Sequence, residues 1–178
     1  NLECAGEQKI EDIPLKECYI CSNRIPWYVV PIVKKGEVVF FKRYGILPRI
    51  FYNSANVHTT DAGYHLRLQD ELDGESLVFC FFNSITLAQC EFNGRYYGVG
   101  VCELVPTEFK DIAVPYRHIE RKDKERLKFL FKSGESVECI VGLVNELTIC
   151  KDYEDEQIRR FEEIRRLLMG RRASGIKS

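Results

Sequence analysis

Methionine is almost missing from this chain: Met169 is the only one among its 178 residues. With no initiator, and with polar and acidic first residues in place of a secretion signal, the chain reads as a piece of a longer protein. No apolar run approaches the roughly 18 to 20 residues that a spanning helix needs. Histidine is scarce, and His58, His65 and His118 are isolated, so a His-rich metal motif is excluded and each reads as a surface or hydrogen-bonded side chain. A Walker loop, a dinucleotide fingerprint and a nucleophile elbow are all lacking. Net charge is lacking too, at −1, which at first sight argues against a nucleic-acid partner. These absences leave no self-contained enzyme in view and favour an α+β binding module.

The near-neutral total conceals segregation. Residues 24–52 carry +5, 110–132 carry +4 and 158–178 carry +5, while 53–92 carry −5 and 133–157 carry −6. Folding can gather the basic blocks on one face, and a phosphate backbone senses that local field rather than the sum; solvated helix faces are the plainer reading of the same runs. Eight cysteines are too sparse for a disulfide scaffold, and several, such as Cys80 and Cys139, lie in strongly apolar stretches where a thiol acts as a small buried hydrophobe. That usage suits a reducing, cytoplasmic setting. Cys18 and Cys21 have the spacing of a zinc half-site or redox pair, yet no second such pair follows.

Short aromatic and β-branched runs at Val38–Phe41 and Ile50–Tyr52, with a weak alternation over Tyr64–Leu68, predict an antiparallel sheet of short strands. Basic and aromatic residues are interleaved there, as a surface meeting phosphates and bases requires. Leu77, Phe81, Ile85 and Ala88 then predict one nearly buried helix. Asn83 and Ser84 in its middle either face solvent or need hydrogen-bond partners on another element. Gly98-Val99-Gly100 opens a strand from Val101, too weak a signal for a phosphate loop without a following helix. Pro106-Thr107-Glu108 starts a one-turn helix, Lys122–Phe131 is helical to near Gly134, and Ser136–Asn145 fits helix or strand. The last helix begins at Asp155 and Glu156, carries Ile158, Phe161, Ile164 or Arg165, and Leu168 as its apolar stripe, and ends among Arg165, Arg166, Arg171 and Arg172, matching the helix dipole.

Three stretches together resemble the C-terminal region of the bacterial adenine-N6 DNA methyltransferases of restriction–modification systems, those whose catalytic domain precedes the target-recognition domain. The first is Arg24-Ile25-Pro26-Trp27-Tyr28 with the later Asn53-Ser54-Ala55-Asn56. The second runs from Phe82-Asn83-Ser84 through Gly98-Val99-Gly100-Val101 to Glu103-Leu104-Val105-Pro106-Thr107-Glu108-Phe109-Lys110-Asp111-Ile112-Ala113-Val114-Pro115. The third is the closing helix with Arg171-Arg172. Two departures stand out: the family's three consecutive glycines are Gly98-Val99-Gly100 here, and Cys102 replaces an aliphatic residue.

The resemblance implies an α+β target-recognition domain over residues 24–172, a short antiparallel reading block on a helical platform, after a leader at 1–23 and before a basic tail at 173–178. It implies that double-stranded DNA is the partner and that S-adenosylmethionine serves the full-length enzyme, with no cofactor in this piece. The upstream catalytic domain, and a restriction subunit where one exists, are the implied protein partners. Phosphate contacts fix register and a few side chains read base edges; the DNA-binding candidates are Trp27, Tyr28, Lys42, Arg43, Arg49, Asn53, Arg95 and Tyr96, the last two on a loop before the glycines. Two other readings stay open: a docking or specificity module of a multisubunit restriction complex, and a small zinc or thiol-redox protein built on Cys18 and Cys21.

Overall fold

A computed structural model describes residues 7, 9–10, 12–29, 35–97 and 100–174. Expectations that fall on Gly98, Val99 and the last residues of the basic tail lie outside these. The chain divides into two units, Asn1–Val33 and Lys34–Ser178.

In the first unit, β1 (Lys9–Ile10) pairs antiparallel with β2 (Ile13–Pro14), and Asp12 turns between them at φ 69°. A 3-10 turn at Leu15–Glu17 leads into the short helix α1 (Tyr19–Ser22), which the Asn23 amide closes by donating to the Tyr19 carbonyl at 2.8 Å. Tyr19, Ile20 and Ile25 are all largely exposed.

The second unit is built on two small antiparallel sheets. In one, β3 (Val38–Phe41) lies between β5 (Arg49–Tyr52) and β6 (Gly63–Leu66). Side chains alternate across a strand, so Val38, Phe40 and Ile50 turn to one side, where all are at most 2% exposed. Phe40 there meets Tyr64, Phe81 and Phe109, the last at 4.3 Å between ring centroids. The other sheet orders β4 (Arg43–Tyr44), β8 (Val101–Glu103) and β7 (Arg95–Tyr97). Lys42 joins the two sheets: its N–H donates to the Ala62 carbonyl at 3.1 Å and its carbonyl accepts from Leu104 at 2.9 Å. One residue thus passes the strand from the first sheet to the second. The expected loop at Arg95 and Tyr96 is the edge strand β7, whose three exposed residues lack the apolar alternation that marks a half-buried strand.

Helices cover the sheets. The single helix expected from Leu77 to Ala88 is two, α2 (Gly74–Cys80) and α3 (Ser84–Asn93). Asp73 caps α2 by accepting from the Glu75 and Ser76 amides. The break falls at Asn83 because its side chain, wholly buried, caps α3 by accepting from Thr86 N–H at 2.9 Å and donates to the Cys80 carbonyl. Ser84 finds its partner on another element: Asn145 accepts from its N–H at 2.9 Å and donates to its hydroxyl at 2.6 Å. The polar pair is therefore buried and satisfied, the second of the two expectations for it.

The one-turn helix α4 (Pro106–Lys110), then α5 (Arg121–Ser133), α6 (Val137–Thr148) and α7 (Asp155–Ala173), complete the unit. Gly134 ends α5 at φ 70°, a conformation costly for other residues, and the Ser136 hydroxyl accepts from Cys139 N–H to open α6. Cys139 is exposed rather than buried, since the helical period turns it away from Ile140, Val141 and Val144. On α7 the stripe from Ile158 and Phe161 continues through Arg165, Leu168 and Arg172, so the two arginines are buried while Ile164 and Leu167 face solvent. With 46% helix against 15% strand among the described residues, the strands in small antiparallel sheets, the fold is α+β as expected. No described helix is long and apolar enough to cross a membrane.

Candidate functional site

The sheet β4-β8-β7 sorts its side chains by register. Arg43 on β4 lies opposite Glu103 on β8, which lies opposite Arg95 on β7, so the three share one face. The next row, Tyr44, Cys102 and Tyr96, takes the other face, where Tyr44 and Cys102 are buried and the Tyr96 hydroxyl donates to the Glu91 carbonyl at 2.7 Å. Tyr97 returns to the face of the arginines, its ring centroid 6.0 Å from the Arg43 guanidinium.

Both arginines are held in the same manner. Arg43 donates from Nε to Glu103 at 3.1 Å, and Arg95 donates from Nε to Glu108. Glu103 is almost buried, whereas the arginine side chains are each more than half exposed. Glu108 is anchored in turn: its other oxygen accepts the Val105 N–H at 3.1 Å at the start of α4. Burial pushes the Glu108 carboxyl up, but the Val105 amide and the Arg95 guanidinium outweigh it and hold the group below its ordinary value. The carboxylates thus hold each guanidinium through Nε, and more than half of each arginine side chain stays exposed. An exposed guanidinium can clasp a phosphate or the edge of a guanine through its terminal N–H groups.

The underside of this sheet is tied to α7. Arg172 donates to both oxygens of Glu91, at 3.0 and 2.9 Å, and to the Gly100 carbonyl, while its guanidinium lies 5.7 Å from the Tyr44 ring centroid. Both members of this pair are at most 4% exposed. Arg172 therefore joins α3, the Gly100 turn before β8 and the buried row of the sheet.

The eight residues singled out by sequence fall into separate places. Arg43 and Arg95 come together on one face, and Lys42 precedes them with its ammonium 3.9 Å from Asp61. Tyr96 points to the opposite face. Arg49 is an exposed residue of β5 in the other sheet, and Asn53 follows that strand. The Asn53 amide donates to the Gly36 and Val57 carbonyls at 3.0 and 2.9 Å and accepts the Val57 N–H at 3.0 Å, which closes its own loop. Trp27 and Tyr28 belong to the first unit, in edge-to-face contact at 5.7 Å, with Tyr28 exposed. Sequence reasoning missed Glu103, Glu108 and Tyr97. Tyr97 was within reach, since it alternates with Tyr96; Glu103 and Glu108 gain their role only through strand register.

His65 is hydrogen-bonded through both ring nitrogens, to Gly36 N–H at 3.0 Å and to the Thr59 hydroxyl at 2.8 Å, and so acts as a loop tie. Cys18 and Cys21 are free thiols, and no cluster of three metal-ligating side chains occurs among the described residues.

Compared with known proteins, residues 8–149 match the family described as "Type II methyltransferase M.Eco57I, C-terminal domain". No curated protein and no solved structure matches the chain significantly.

Proposed function

Because the chain belongs to the family of type II methyltransferase M.Eco57I C-terminal domains, we propose that it grips duplex DNA so that the catalytic domain of the same enzyme can methylate a flipped adenine at N6. The observation that carries the reading is the pair Arg43 and Arg95, set on one sheet face by internal carboxylates with each side chain more than half exposed. Tyr97 beside them supplies an aromatic surface, and Lys42 adds a charge where the sheets join.

Such a domain answers a physical requirement. An exocyclic amine stacked within a duplex is out of reach, so the base must be extruded at a cost of a few kcal/mol. Phosphate contacts offset that cost and set register, while guanidinium groups read base edges. Adenine as the target rests on the resemblance of residues 82–115. The Gly100 turn does not fit S-adenosylmethionine: it leads into a strand and not into a helix whose N-terminus would meet the cofactor's carboxylate. No step of methyl transfer is assigned to this chain.

The test is fluorescence anisotropy with a labelled duplex across a salt series. The reading requires affinity that falls steeply with salt and a slope that drops by about one for each arginine that holds a phosphate. Absence of duplex binding at low salt refutes it.

A further inference from the structure

A groove of about 620 Å³ runs beside β5, walled by Leu47, Ile50, Val78, Phe79, Phe82 and Phe131. Its floor comes from α2, the turn after it and α5; its other wall is the edge strand of a three-stranded sheet. The backbone of that strand is half used. Asn53 N–H bonds to the Glu37 carbonyl at 2.7 Å, and the antiparallel register pairs Phe51 with Val39 and Arg49 with Phe41. Hydrogen-bonded and non-bonded pairs alternate along such a ladder. The amides and carbonyls of Arg49 and Phe51 are therefore spent on β3, while those of Ile50 and Tyr52 point away from it, along the groove.

Charge adds a second constraint. Arg49, Lys128 and Lys132 line the groove with Glu75 as the only acid. Glu75 is already neutralised by Lys128 at 2.8 Å, and neither Arg49 nor Lys132 has an ion-pair partner among the described residues. An apolar trough with cationic margins repels nothing acidic and gives a phosphate backbone no polar floor. A strand laid against β5, at the usual spacing of about 4.8 Å, would extend the sheet over the Phe131 ring of α5 and the apolar side of α2.

We propose that this groove takes an extended segment of a partner protein as a fourth strand, its alternate apolar side chains packed on Val78, Phe79, Phe82 and Phe131 and its intervening carboxylates paired with Arg49 and Lys132. Backbone pairing supplies affinity and the alternate side chains supply selectivity, as in strand addition generally. The surface is distinct from the face of Arg43 and Arg95, which lies on the other sheet.

The experiment uses the full chain and fluorescein-labelled peptides of about six residues, a usual strand length, in which valine alternates with glutamate. Saturable binding is expected; a peptide with lysine in place of glutamate, or with alternate backbone amides methylated, binds at least about fivefold more weakly. Lys132→Glu, at an exposed position, weakens the glutamate peptide by a similar factor and leaves duplex DNA affinity unchanged, which separates this site from the proposed DNA face. Phe131→Glu abolishes peptide binding; circular dichroism reports whether that variant folds, and Lys132→Glu decides the matter if it does not. Equal binding of the methylated peptide, no binding of the glutamate peptide, indifference to Lys132→Glu, or displacement of the peptide by duplex DNA each overturns the proposal.

Discussion

Replacing Arg172 by methionine removes the cation that neutralises a buried carboxylate. In the intact protein Arg172 meets both oxygens of Glu91 and the Gly100 carbonyl, with the pair at most 4% exposed. Burial pushes the Glu91 carboxyl up, and the Arg172 guanidinium works against that push. Without the guanidinium an uncompensated charge remains in the interior, a loss of about 3–5 kcal/mol in comparable buried pairs. The double variant Glu91→Met/Arg172→Met leaves no orphan charge and should recover most of the loss, because a buried ion pair and an apolar pair of similar volume are often close in stability. Urea unfolding followed by circular dichroism measures all three variants. The pH dependence has a definite sign. With Arg172 gone, the folded-state pKa of Glu91 lies above its unfolded value, so the single variant regains stability as pH falls from neutral toward the unfolded carboxyl range and loses it as pH rises through the folded value. A single-variant loss under about 1 kcal/mol, typical of a solvated pair, or a double variant no better than Arg172→Met, would refute the reasoning.

Asp73 provides a pH test of opposite sign. Burial pushes its carboxyl up, but the Lys124 ammonium and the Ser76 hydroxyl and amide overcome this and hold it at about 2, against an ordinary 3.8. Its contribution is full above 3.8 and lost as pH falls toward 2; with a carboxylate this exposed, solvent screening reduces it to about 1 kcal/mol. Acid unfolding of Asp73→Asn should begin from a lower stability and show a flatter decline over that range, and an unchanged profile counts against the cap. Gly94→Ala should cost about 1–3 kcal/mol by overpacking, because its Cβ would stand 2.3 Å from the Cys102 Sγ and 2.7 Å from the Cys90 carbonyl; a neutral thermal melt would show that α3 and β8 can part. Arg43→Ala and Arg95→Ala should each weaken duplex binding, with Arg49→Ala, on the other sheet, having the smaller effect in the same anisotropy titration.

Elements governed by local chemistry were legible in the sequence. Gly134 and the acidic start of α7 announce helix ends through backbone conformation and charge, which need no distant partner, whereas Ser136–Asn145 fitted helix or strand alike. Asn83 was legible only in part: its polarity inside an apolar run left a solvent-facing and a hydrogen-bonded position both open, and the partner that buries the neighbouring Ser84, Asn145, lies 61 positions away. Arg172 was read as a dipole-matching terminal cation, since arginine is rarely buried unless paired, and its partner Glu91 is 81 positions away. The same limit applies to the candidate interface. Arg43 and Arg95 could be chosen by type, yet their common face follows from the shared register with Glu103, and β7 has too little apolar alternation to declare itself a strand. Asn53 shows the converse, a side chain of suitable type whose amide is occupied by its own loop.

The central claim is that the face of Arg43 and Arg95 grips duplex DNA. Its most direct test is the salt dependence of duplex affinity, from about 50 to 200 mM, for the intact chain and for Arg43→Ala/Arg95→Ala. The account predicts a steep decline for the intact chain and, for the double variant, weaker binding at low salt with a slope smaller by about two. Identical affinity and slope for the two proteins would contradict it.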